Sequence, residues 1–369
     1  MKLLFCDNTI WGLVNFREPV FRWFYEQGHE VVLVAPSDEG TEMKTSIPSY
    51  VKYVQVKLKR TSRNPLCDFL YMWRLRKVYR RERPNYIFHY TIKPNIYGSL
   101  AARSLGIRSS AMVAGLGYAF SRRGVMGAVV RGLYAAGLRC AERVFVLNEG
   151  NRATLLSHGI CRSDKLLLLA GGEGVDLSRF CFSGDALGDH TVFLMVARVL
   201  YDKGYSEFVE AARHIKEAGS DAEFWLLGPV DESYPNAVPQ AIIDADVRAG
   251  YIKYLGFSRN PQNIMKLPGV VVVVVSSYHE GMNRSLMEAC ALGKPVITTD
   301  IPGCREMVDG GRNGFAVPPK DAEALAKAMR DYLQLTDEAK AAMGRAGREL
   351  AEKRYDIGLV INEYAKVLS

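Results

Sequence analysis

The chain has 369 residues, 48% of them hydrophobic and 24% charged, which is typical of a globular protein with two domains. No apolar run approaches the ~20 residues of a membrane-spanning helix, so we expect any contact with a membrane to be at its surface. The seven Cys show no CxxC spacing, which argues against a zinc site and favours reduced, mostly structural thiols.

The net charge of +8 is unevenly distributed, because the first 185 residues contain 27 Lys and Arg against 15 Asp and Glu. A basic half predicts an anionic partner, such as acidic lipid headgroups, a phosphorylated substrate or nucleic acid. The basic half has no RNA-binding signature, so we expect lipid phosphate and no nucleic acid. The chain enters a strand pattern directly, without an apolar leader, so we expect a cytoplasmic protein that meets membranes only at their surface.

Short apolar runs alternate with helical patterns in the first half, which predicts a parallel sheet covered by helices. Lys2 to Cys6 is the first predicted strand, and a helix over 14–27 follows after a turn. That turn contains Gly12, where the backbone either approaches a ligand or simply turns. The spacing is not GxGxxG, which argues against an NAD site. Further strands are predicted at 30–35, 50–56, 86–89, 110–113, 143–147 and 165–169.

Two helices of the basic half have amphipathic patterns, predicted over 65–83 and 124–143. Arginines occur in both, and the first also has an apolar side formed by Leu66, Phe69, Leu70 and Trp73. One interpretation is a solvated face on a helix that covers the sheet. The other is an interfacial element on an anionic membrane, where each Lys or Arg contributes about 1 kcal/mol.

A second α/β unit begins with a strand at 191–196, after a polar stretch at 181–190 where we place the domain boundary. The loop after this strand contains Arg198 and Lys203, and a helix follows to about residue 218. Two cations beside a helix start form a clamp suited to a diphosphate.

The valines at 271–275, part of a run of six that begins at residue 270, predict a parallel strand buried on both faces. A loop follows it, and a helix is predicted to start near Asn283. Glu280 precedes this helix and Glu288 lies inside it, roughly 7–8 Å along the axis from the start. Ionised carboxylates accept hydrogen bonds from sugar hydroxyls, so the layout suits a nucleotide-sugar. Strand-loop-helix units are common, so the spacing alone also fits an ordinary α/β unit.

The motifs together resemble the retaining glycosyltransferases of family four, which implies the GT-B fold: two Rossmann-like doubly wound parallel-sheet α/β domains facing across a cleft. The segments that resemble this family are Ala197-Arg198, Asp202-Lys203-Gly204, Glu280-Gly281 with Glu288 as E-x7-E, Gly293-Lys294-Pro295-Val296, Pro302-Gly303-Cys304-Arg305-Glu306, Asn313-Gly314 and Gly174-Val175-Asp176 with Phe180. Two further segments resemble the subgroup that builds capsule, O-antigen and N-glycan oligosaccharides on polyprenyl-diphosphate lipids, including bacterial enzymes that add α-N-acetylgalactosamine to lipid-linked bacillosamine: Thr91-Ile92-Lys93-Pro94-Asn95 and Gly115-Leu116-Gly117-Tyr118.

The resemblance implies an N-terminal acceptor-binding domain, 1–180, rejoined by the final helix at 355–369, and a C-terminal nucleotide-sugar domain, 181–354. It implies transfer of a hexose or N-acetylhexosamine from a UDP-sugar to a polyprenyl-diphosphate-linked sugar. The site would work without a cofactor, at the anionic cytoplasmic surface of the inner membrane.

The resemblance also assigns roles to individual residues. The implied catalytic residues are Glu280, Arg198 and Lys203. In the implied donor site, Arg198 and Lys203 bind the diphosphate, and Gly12 lets the first loop approach the phosphate. Glu280 holds the hexose together with the backbone N–H groups of Gly281, Met282 and Asn283. Glu288 binds the ribose, and Gly256 with Phe257 binds the base. The implied acceptor-binding residues are Arg17 and Lys93.

One departure from the family pattern concerns a cleft His that many relatives carry after the fifth strand. Gly115 and Leu116 occupy that place here, and His89 lies one strand earlier, so the chemistry does not depend on this His. Asp244-Ala245-Asp246 has DxD spacing but lies in a predicted helix, so we expect no metal requirement. Two alternatives stay open: a UDP-sugar 2-epimerase of the same fold, and a non-catalytic sugar-nucleotide sensor.

Overall fold

The computed structural model describes residues 1–38, 45–60, 62, 64–116, 124–182, 184, 190–234, 236–267 and 270–368. The predicted motif residues Gly117 and Tyr118 lie outside these ranges. The chain divides into two compact units, Met1–Glu173 with Ile357–Ser369, and Gly174–Asp356.

The division between the units differs slightly from the boundaries expected at 180 and 354. Val175 and Phe180 are buried in the core of the second unit, and the Val175 N–H donates to the Tyr355 carbonyl at 2.7 Å. These apolar side chains move the boundary back to residue 174. The final helix lies in the first unit, where the Tyr364 ring stacks on Phe145 with centroids 4.9 Å apart.

The first unit is built on a seven-stranded sheet in which every strand pairs in parallel. Its strands are β1 Lys2–Cys6, β2 Glu30–Ala35, β3 Lys52–Gln55, β4 Tyr86–Tyr90, β5 Arg108–Val113, β6 Arg143–Val146 and β7 Leu166–Leu168. The spatial order is β3-β2-β1-β4-β5-β6-β7. Its helices are α1 Ile10–Glu26, α2 Pro65–Glu82, α3 Ser99–Arg103, preceded by a π-helical turn at Pro94–Gly98, α4 Val125–Cys140, α5 Glu149–Ser157 and, at the end of the chain, α12 Ile357–Lys366.

The second unit is built on a six-stranded parallel sheet. Its strands are β8 Thr191–Val196, β9 Glu223–Leu227, β10 Lys253–Tyr254, β11 Val270–Val275, β12 Val296–Thr299 and β13 Gly314–Val317, in the order β10-β9-β8-β11-β12-β13. Its helices are α6 Tyr205–Glu217, α7 Gln240–Arg248, α8 Pro261–Met265, α9 Arg284–Leu292, α10 Ala322–Leu333 and α11 Asp337–Arg354. Side chains of β11 enter the apolar clusters on both faces of the sheet, as the valine run predicts.

Most predicted elements are present, and the main exception is the start of α1. This helix begins at Ile10, four residues before the expected start, because the Thr9 side chain caps it by accepting a hydrogen bond from the Gly12 N–H at 2.9 Å. Gly12 therefore lies in the first helical turn and not in a loop. A Cβ added there would lie 2.7 Å from Thr9 Oγ1, so a larger residue would require the capping side chain to shift.

A search of the described residues finds no helix with both the length and the apolar character needed to cross a membrane. Asp244 and Asp246 lie on α7 as predicted, and the Asp246 carboxylate accepts a hydrogen bond from the Tyr205 hydroxyl at 2.6 Å.

His89 is a buried residue of β4, hydrogen-bonded through Nε2 to the Tyr79 hydroxyl at 3.0 Å. Burial lowers the pKa of His89 to about 3 from its ordinary 6.5. Between these values the unfolded chain binds a proton that the folded chain does not, so stability falls as the pH falls. We expect wild type to lose about 3 kcal/mol of unfolding free energy between pH 7 and pH 4 through this group.

The measurement is urea unfolding at both pH values for wild type and His89→Gln, a variant whose side chain does not titrate. The difference in unfolding free energy between wild type and His89→Gln should shrink as the pH falls. If this difference stays constant with pH, His89 does not change its protonation on unfolding as proposed.

Candidate functional site

Two loops meet at the carboxyl edge of the second sheet, where the strand order reverses. β8 and β11 are neighbours in this sheet, with Val192 opposite Val271 and Met195 opposite Val274. Their following loops, 197–204 and 276–283, therefore leave the sheet side by side. Ligands of open parallel α/β sheets bind at this kind of crevice.

The first loop is fixed to the second by backbone contacts around Gly204. The Ser276 hydroxyl donates to the Gly204 carbonyl at 2.9 Å, and the Tyr278 N–H donates to the Asp202 carbonyl at 3.0 Å. Gly204 has a φ of +81° and precedes the first residue of α6. This contact places Lys203 beside the start of a 13-residue helix, where the dipole is positive.

Replacing Gly204 with alanine should disturb this loop, because the new Cβ would lie 2.1 Å from the Ser276 carbonyl oxygen. We expect the free energy of unfolding to fall by at least about 2 kcal/mol, because the new side chain clashes and because it must adopt a left-handed backbone conformation. Gly219, just beyond the other end of α6, is a matched control with a φ of +85° and no atom within 4 Å of an added Cβ. Urea unfolding of Gly204→Ala and Gly219→Ala would isolate the clash, and equal losses would contradict it.

Glu280 is the centre of the described hydrogen bonds in the second loop. Its Oε1 accepts from Lys203 Nζ at 2.6 Å, from the Ser277 hydroxyl at 2.7 Å and from Asn283 Nδ2 at 3.1 Å. The Lys203 and Glu280 side chains are only 19% and 13% exposed, so their ion pair is partly shielded from water. These three bonds all end on Oε1, and a carboxylate has about four acceptor positions, so Glu280 keeps capacity for a ligand hydroxyl.

Asn283 fixes the start of α9 and orients Glu280. Its side-chain oxygen accepts from the Leu286 N–H at 3.0 Å, the expected bond of an N-cap residue. Its own N–H donates to the Gly303 carbonyl at 2.9 Å. Contact of this N–H with the donor hexose would require it to exchange the Gly303 carbonyl, and that role stays a prediction. Gly281 and Met282 keep their expected place in the loop, and their roles stay predictions.

Glu288 is a buried residue of α9, one turn after Arg284. Arg284 Nε donates to Glu288 Oε1 at 2.8 Å. A carboxylate has about four acceptor positions, so this pair leaves capacity for ribose hydroxyls. The helix is held against β8 by the Ser285 hydroxyl, which donates to the Val196 carbonyl at 3.1 Å. Ribose binding by Glu288 stays a prediction.

Arg198 lies exposed on the same loop as Lys203, with its guanidinium 4.6 Å from the centre of the Tyr234 ring. Hydrogen bonds from Ser233 and, further, the positive charge of Arg198 lower the pKa of Asp231. The described contacts thus hold Arg198 over Tyr234 and do not join it to Glu280.

The predicted base-binding residues follow β10. Gly256 has a φ of +70°, and its carbonyl accepts from the Gly228 N–H at 2.8 Å. No atom lies within 4 Å of a Cβ added at Gly256, and Phe257 next to it is exposed. This leaves open space at the edge strand, and base binding there stays a prediction.

The remaining predicted site residues belong to the first unit. Arg17 is buried and forms a two-pronged ion pair with Glu173, while its guanidinium lies 4.6 Å from the centre of the Tyr90 ring. Burial alone would lower the pKa of Arg17, but the charge of Glu173 raises it instead. Arg17 therefore anchors the end of the first unit, and a role toward an acceptor stays a prediction.

Lys93 also has internal partners. Its ammonium donates to the Lys59 carbonyl at 3.0 Å, the Ser62 carbonyl at 2.8 Å and the Asp68 carboxylate at 2.7 Å. All three protons are used, so in this structure Lys93 fixes the segment after β3 against α2. Binding an acceptor phosphate would require Lys93 to exchange one of these partners, and that role stays a prediction.

Lys93 lines a cavity of about 330 Å³ at the carboxyl end of β4 and β5. The cavity wall includes Arg60, Asn95, Met112 and Tyr134. It is bordered by Thr91, a β-branched residue with a φ of +64°, which is a strained backbone conformation of the kind found at functional sites.

Sequence reasoning gave no role to several residues that build the donor-side loops: Ser276, Ser277, Tyr234 and Gly303. The serines directly after a buried strand were a usable signal, because polar residues at that edge face the crevice. Tyr234 had no such signal, since its contact with Arg198 depends on a loop 36 residues away in the sequence.

Two family models match the chain, each over one of its halves. The model described as Glycosyltransferase Family 4 matches residues 20–169, and the model described as Glycosyl transferases group 1 matches residues 182–350. The N,N'-diacetylbacillosaminyl-diphospho-undecaprenol alpha-1,3-N-acetylgalactosaminyltransferase of Campylobacter jejuni is 26% identical over 385 residues, covering 100% of this chain and 98% of that protein.

A second relative is the UDP-Gal:alpha-D-GlcNAc-diphosphoundecaprenol alpha-1,3-galactosyltransferase of Escherichia coli, 26% identical over 278 residues, covering 72% of this chain and 69% of that protein. The solved structure of Anabaena HepE in complex with UDP-glucose superimposes with a TM-score of 0.75 at 17% identity, covering 100% of this chain and 99% of that one. The parallel sheets, the motif residues and these matches agree with one another, and they confirm the fold and the resemblance expected from the motifs. The chain is a glycosyltransferase with the GT-B fold, and each of its halves matches a glycosyltransferase family model.

Proposed function

We propose that the protein moves a hexose or N-acetylhexosamine from a UDP-sugar, with retention of configuration, to a polyprenyl-diphosphate-linked sugar during assembly of a bacterial surface or glycoprotein glycan. Two relatives named for transfer to undecaprenol-diphosphate-linked sugars support the acceptor class. The name of the E. coli relative and the HepE complex support a UDP-sugar donor. We place the protein at the cytoplasmic face of the inner membrane, where such acceptors are assembled.

The observation that carries this proposal is the fixed pair of Lys203 and Glu280 at the carboxyl edge of the second sheet. One proton of the Lys203 ammonium bonds Glu280 at 2.6 Å, and the group lies beside the start of α6. The other two protons are directed at no described residue, so they suit phosphate oxygens. A cation held by a protein carboxylate needs little reorganisation when charge appears next to it.

The chemistry would need little covalent participation by the protein. As the glycosidic bond to UDP breaks, negative charge develops on the leaving phosphate, and Lys203 and Arg198 with the positive ends of α6 and α9 would stabilise it. Glu280 Oε2 would hold a hexose hydroxyl while its Oε1 keeps Lys203 in place. The acceptor hydroxyl would attack from the leaving-group face, and its proton would pass to the departing phosphate.

Independence from metal ions stays a prediction of the sequence. Assays with a chelator in place of divalent cations should give the same rate. A rate that falls with the chelator and returns with magnesium would contradict it.

The proposal is tested by measuring UDP release from a panel of UDP-hexoses and UDP-N-acetylhexosamines, with and without an extract of polyprenyl-diphosphate-linked sugars. Release from one donor that rises only with the extract is expected. Binding of UDP without release from any donor would contradict transfer from a UDP-sugar and would favour a sensor.

A further inference from the structure

Helix α2 of the first unit presents an exposed face that the proposed transfer reaction does not explain. Its apolar half consists of Leu66, Phe69, Leu70 and Trp73, which are between 47% and 71% exposed. Its cationic half consists of Lys77, Arg80 and Arg81, all exposed. At 3.6 residues per turn these seven side chains fall within an arc of about 120°, so they form one continuous stripe, called the α2 face below.

The orientation of the helix is fixed by its opposite side. Tyr71, Leu75, Val78 and Tyr79 are buried in an apolar cluster with residues of β1 and β2. Rotation that would bury the α2 face would expose these four side chains. The exposed stripe is therefore a stable surface of the first unit.

The α2 face has no negative charge of its own. Asp68 lies on the opposite side, where it accepts hydrogen bonds from Lys93 and the Tyr97 hydroxyl. The Glu82 carboxylate is buried and paired with Lys52 and Arg81. Exposed Lys57 and Lys59 add charge beside the helix, and the Lys57 carbonyl accepts from Arg74 at 3.1 Å.

We infer that the α2 face docks on the surface of an anionic lipid bilayer. Trp73 and Phe69 suit the boundary between headgroups and acyl chains, and the three cations suit lipid phosphates. A second copy of the chain fits poorly, because a two-fold contact centred on the stripe with the helices antiparallel would press the cationic half of each copy onto the apolar half of the other. Lys77 already lies 5.8 Å from the centre of the Trp73 ring, so the two halves of the stripe are in contact.

Membrane docking by the α2 face extends the proposed function, and its biological role rests on that function. Asp68, on the buried side of the first turn, bonds Lys93, which lines the 330 Å³ cavity. Docking by α2 would therefore bring the cavity close to the bilayer that contains a lipid-linked acceptor.

The test is sedimentation of the purified full chain with vesicles of phosphatidylcholine, with and without phosphatidylglycerol, in the absence of any sugar substrate. We expect binding only to the anionic vesicles and a weakening of that binding at high salt. Lys77→Gln/Arg80→Gln should weaken binding roughly 30-fold, since each basic residue contributes about 1 kcal/mol. Phe69→Ser/Trp73→Ser should weaken it at least about tenfold.

Ile242→Ser/Val247→Ser is the matched control, because both residues are exposed apolar side chains on α7 of the second unit. This control should bind vesicles like wild type. Circular dichroism verifies that each variant is folded. Tryptophan fluorescence gives an independent readout: we expect a blue shift when anionic vesicles are added to wild type, and no such shift in Trp73→Phe.

Equal binding by wild type and the α2 variants would overturn the inference, as would no binding by wild type. Self-association in light scattering that disappears in Phe69→Ser/Trp73→Ser, without vesicle binding, would assign the face to a second copy instead. The test involves no turnover, so its failure leaves the proposed transfer to the UDP-release assay, and failure of that assay leaves vesicle binding intact.

Discussion

Lys203→Ala is expected to reduce kcat for sugar transfer by at least roughly 1,000-fold while the protein stays folded. Lys203 lies two residues before the start of α6, and the bond of 2.6 Å from its ammonium to Glu280 holds it in a fixed position. Removing it would leave the charge on the departing diphosphate without its fixed partner. Single-turnover rates with the preferred donor, measured beside the unfolding midpoint, separate loss of chemistry from loss of fold.

Lys327→Ala is the matched control for this prediction. Lys327 forms an exposed ion pair with Asp331 on α10 of the same unit, at 2.6 Å, and such pairs contribute little to stability. We expect it to keep the wild-type rate, and Arg198→Ala to lose activity with Lys203→Ala. Wild-type turnover in both Arg198→Ala and Lys203→Ala would contradict the diphosphate clamp.

Glu280→Ala and Glu288→Ala are expected to fail in opposite ways. Glu280 would hold the reacting hexose, so its loss should lower kcat by about 100-fold or more. UDP affinity should be kept or improved in this variant, because Lys203 loses the carboxylate that balances its charge. Glu288 would bind the ribose, so its loss should weaken UDP binding by about 1–3 kcal/mol with a smaller effect on kcat.

Calorimetry with UDP and steady-state kinetics with the full donor measure the two effects on the same samples. Glu323→Ala, which removes an exposed partner of Arg330 on α10, serves as the control for loss of a surface carboxylate. Parallel losses of UDP affinity and kcat in both Glu280→Ala and Glu288→Ala would contradict the division of roles.

The parts of this structure that depend on local patterns could be predicted from the sequence. The valine run and the start of α9 near Asn283 are each specified by a few neighbouring residues. The start of α1 was predicted four residues late because Thr9 was not recognised as a cap for Gly12.

The contacts that could not be predicted join residues far apart in the chain. Arg17 and Glu173 are separated by 156 positions. Arg17 was predicted to bind the acceptor and Glu173 was given no role, so their ion pair was not predicted. Lys93 is held by the backbone carbonyls of Lys59 and Ser62, which are groups that every residue has. Charge in the sequence identified these cations, but their partners depend on how the first unit packs.

The most direct test of the proposed transfer is mass spectrometry of a synthetic polyprenyl-diphosphate-linked N-acetylhexosamine after incubation with the protein and each UDP-sugar. The account predicts that the acceptor gains one sugar unit from one donor, that UDP appears in equal amount, and that the new linkage keeps the α configuration of that donor. An unchanged acceptor with the UDP-sugar converted to its epimer, or with the UDP-sugar bound and intact, would contradict transfer.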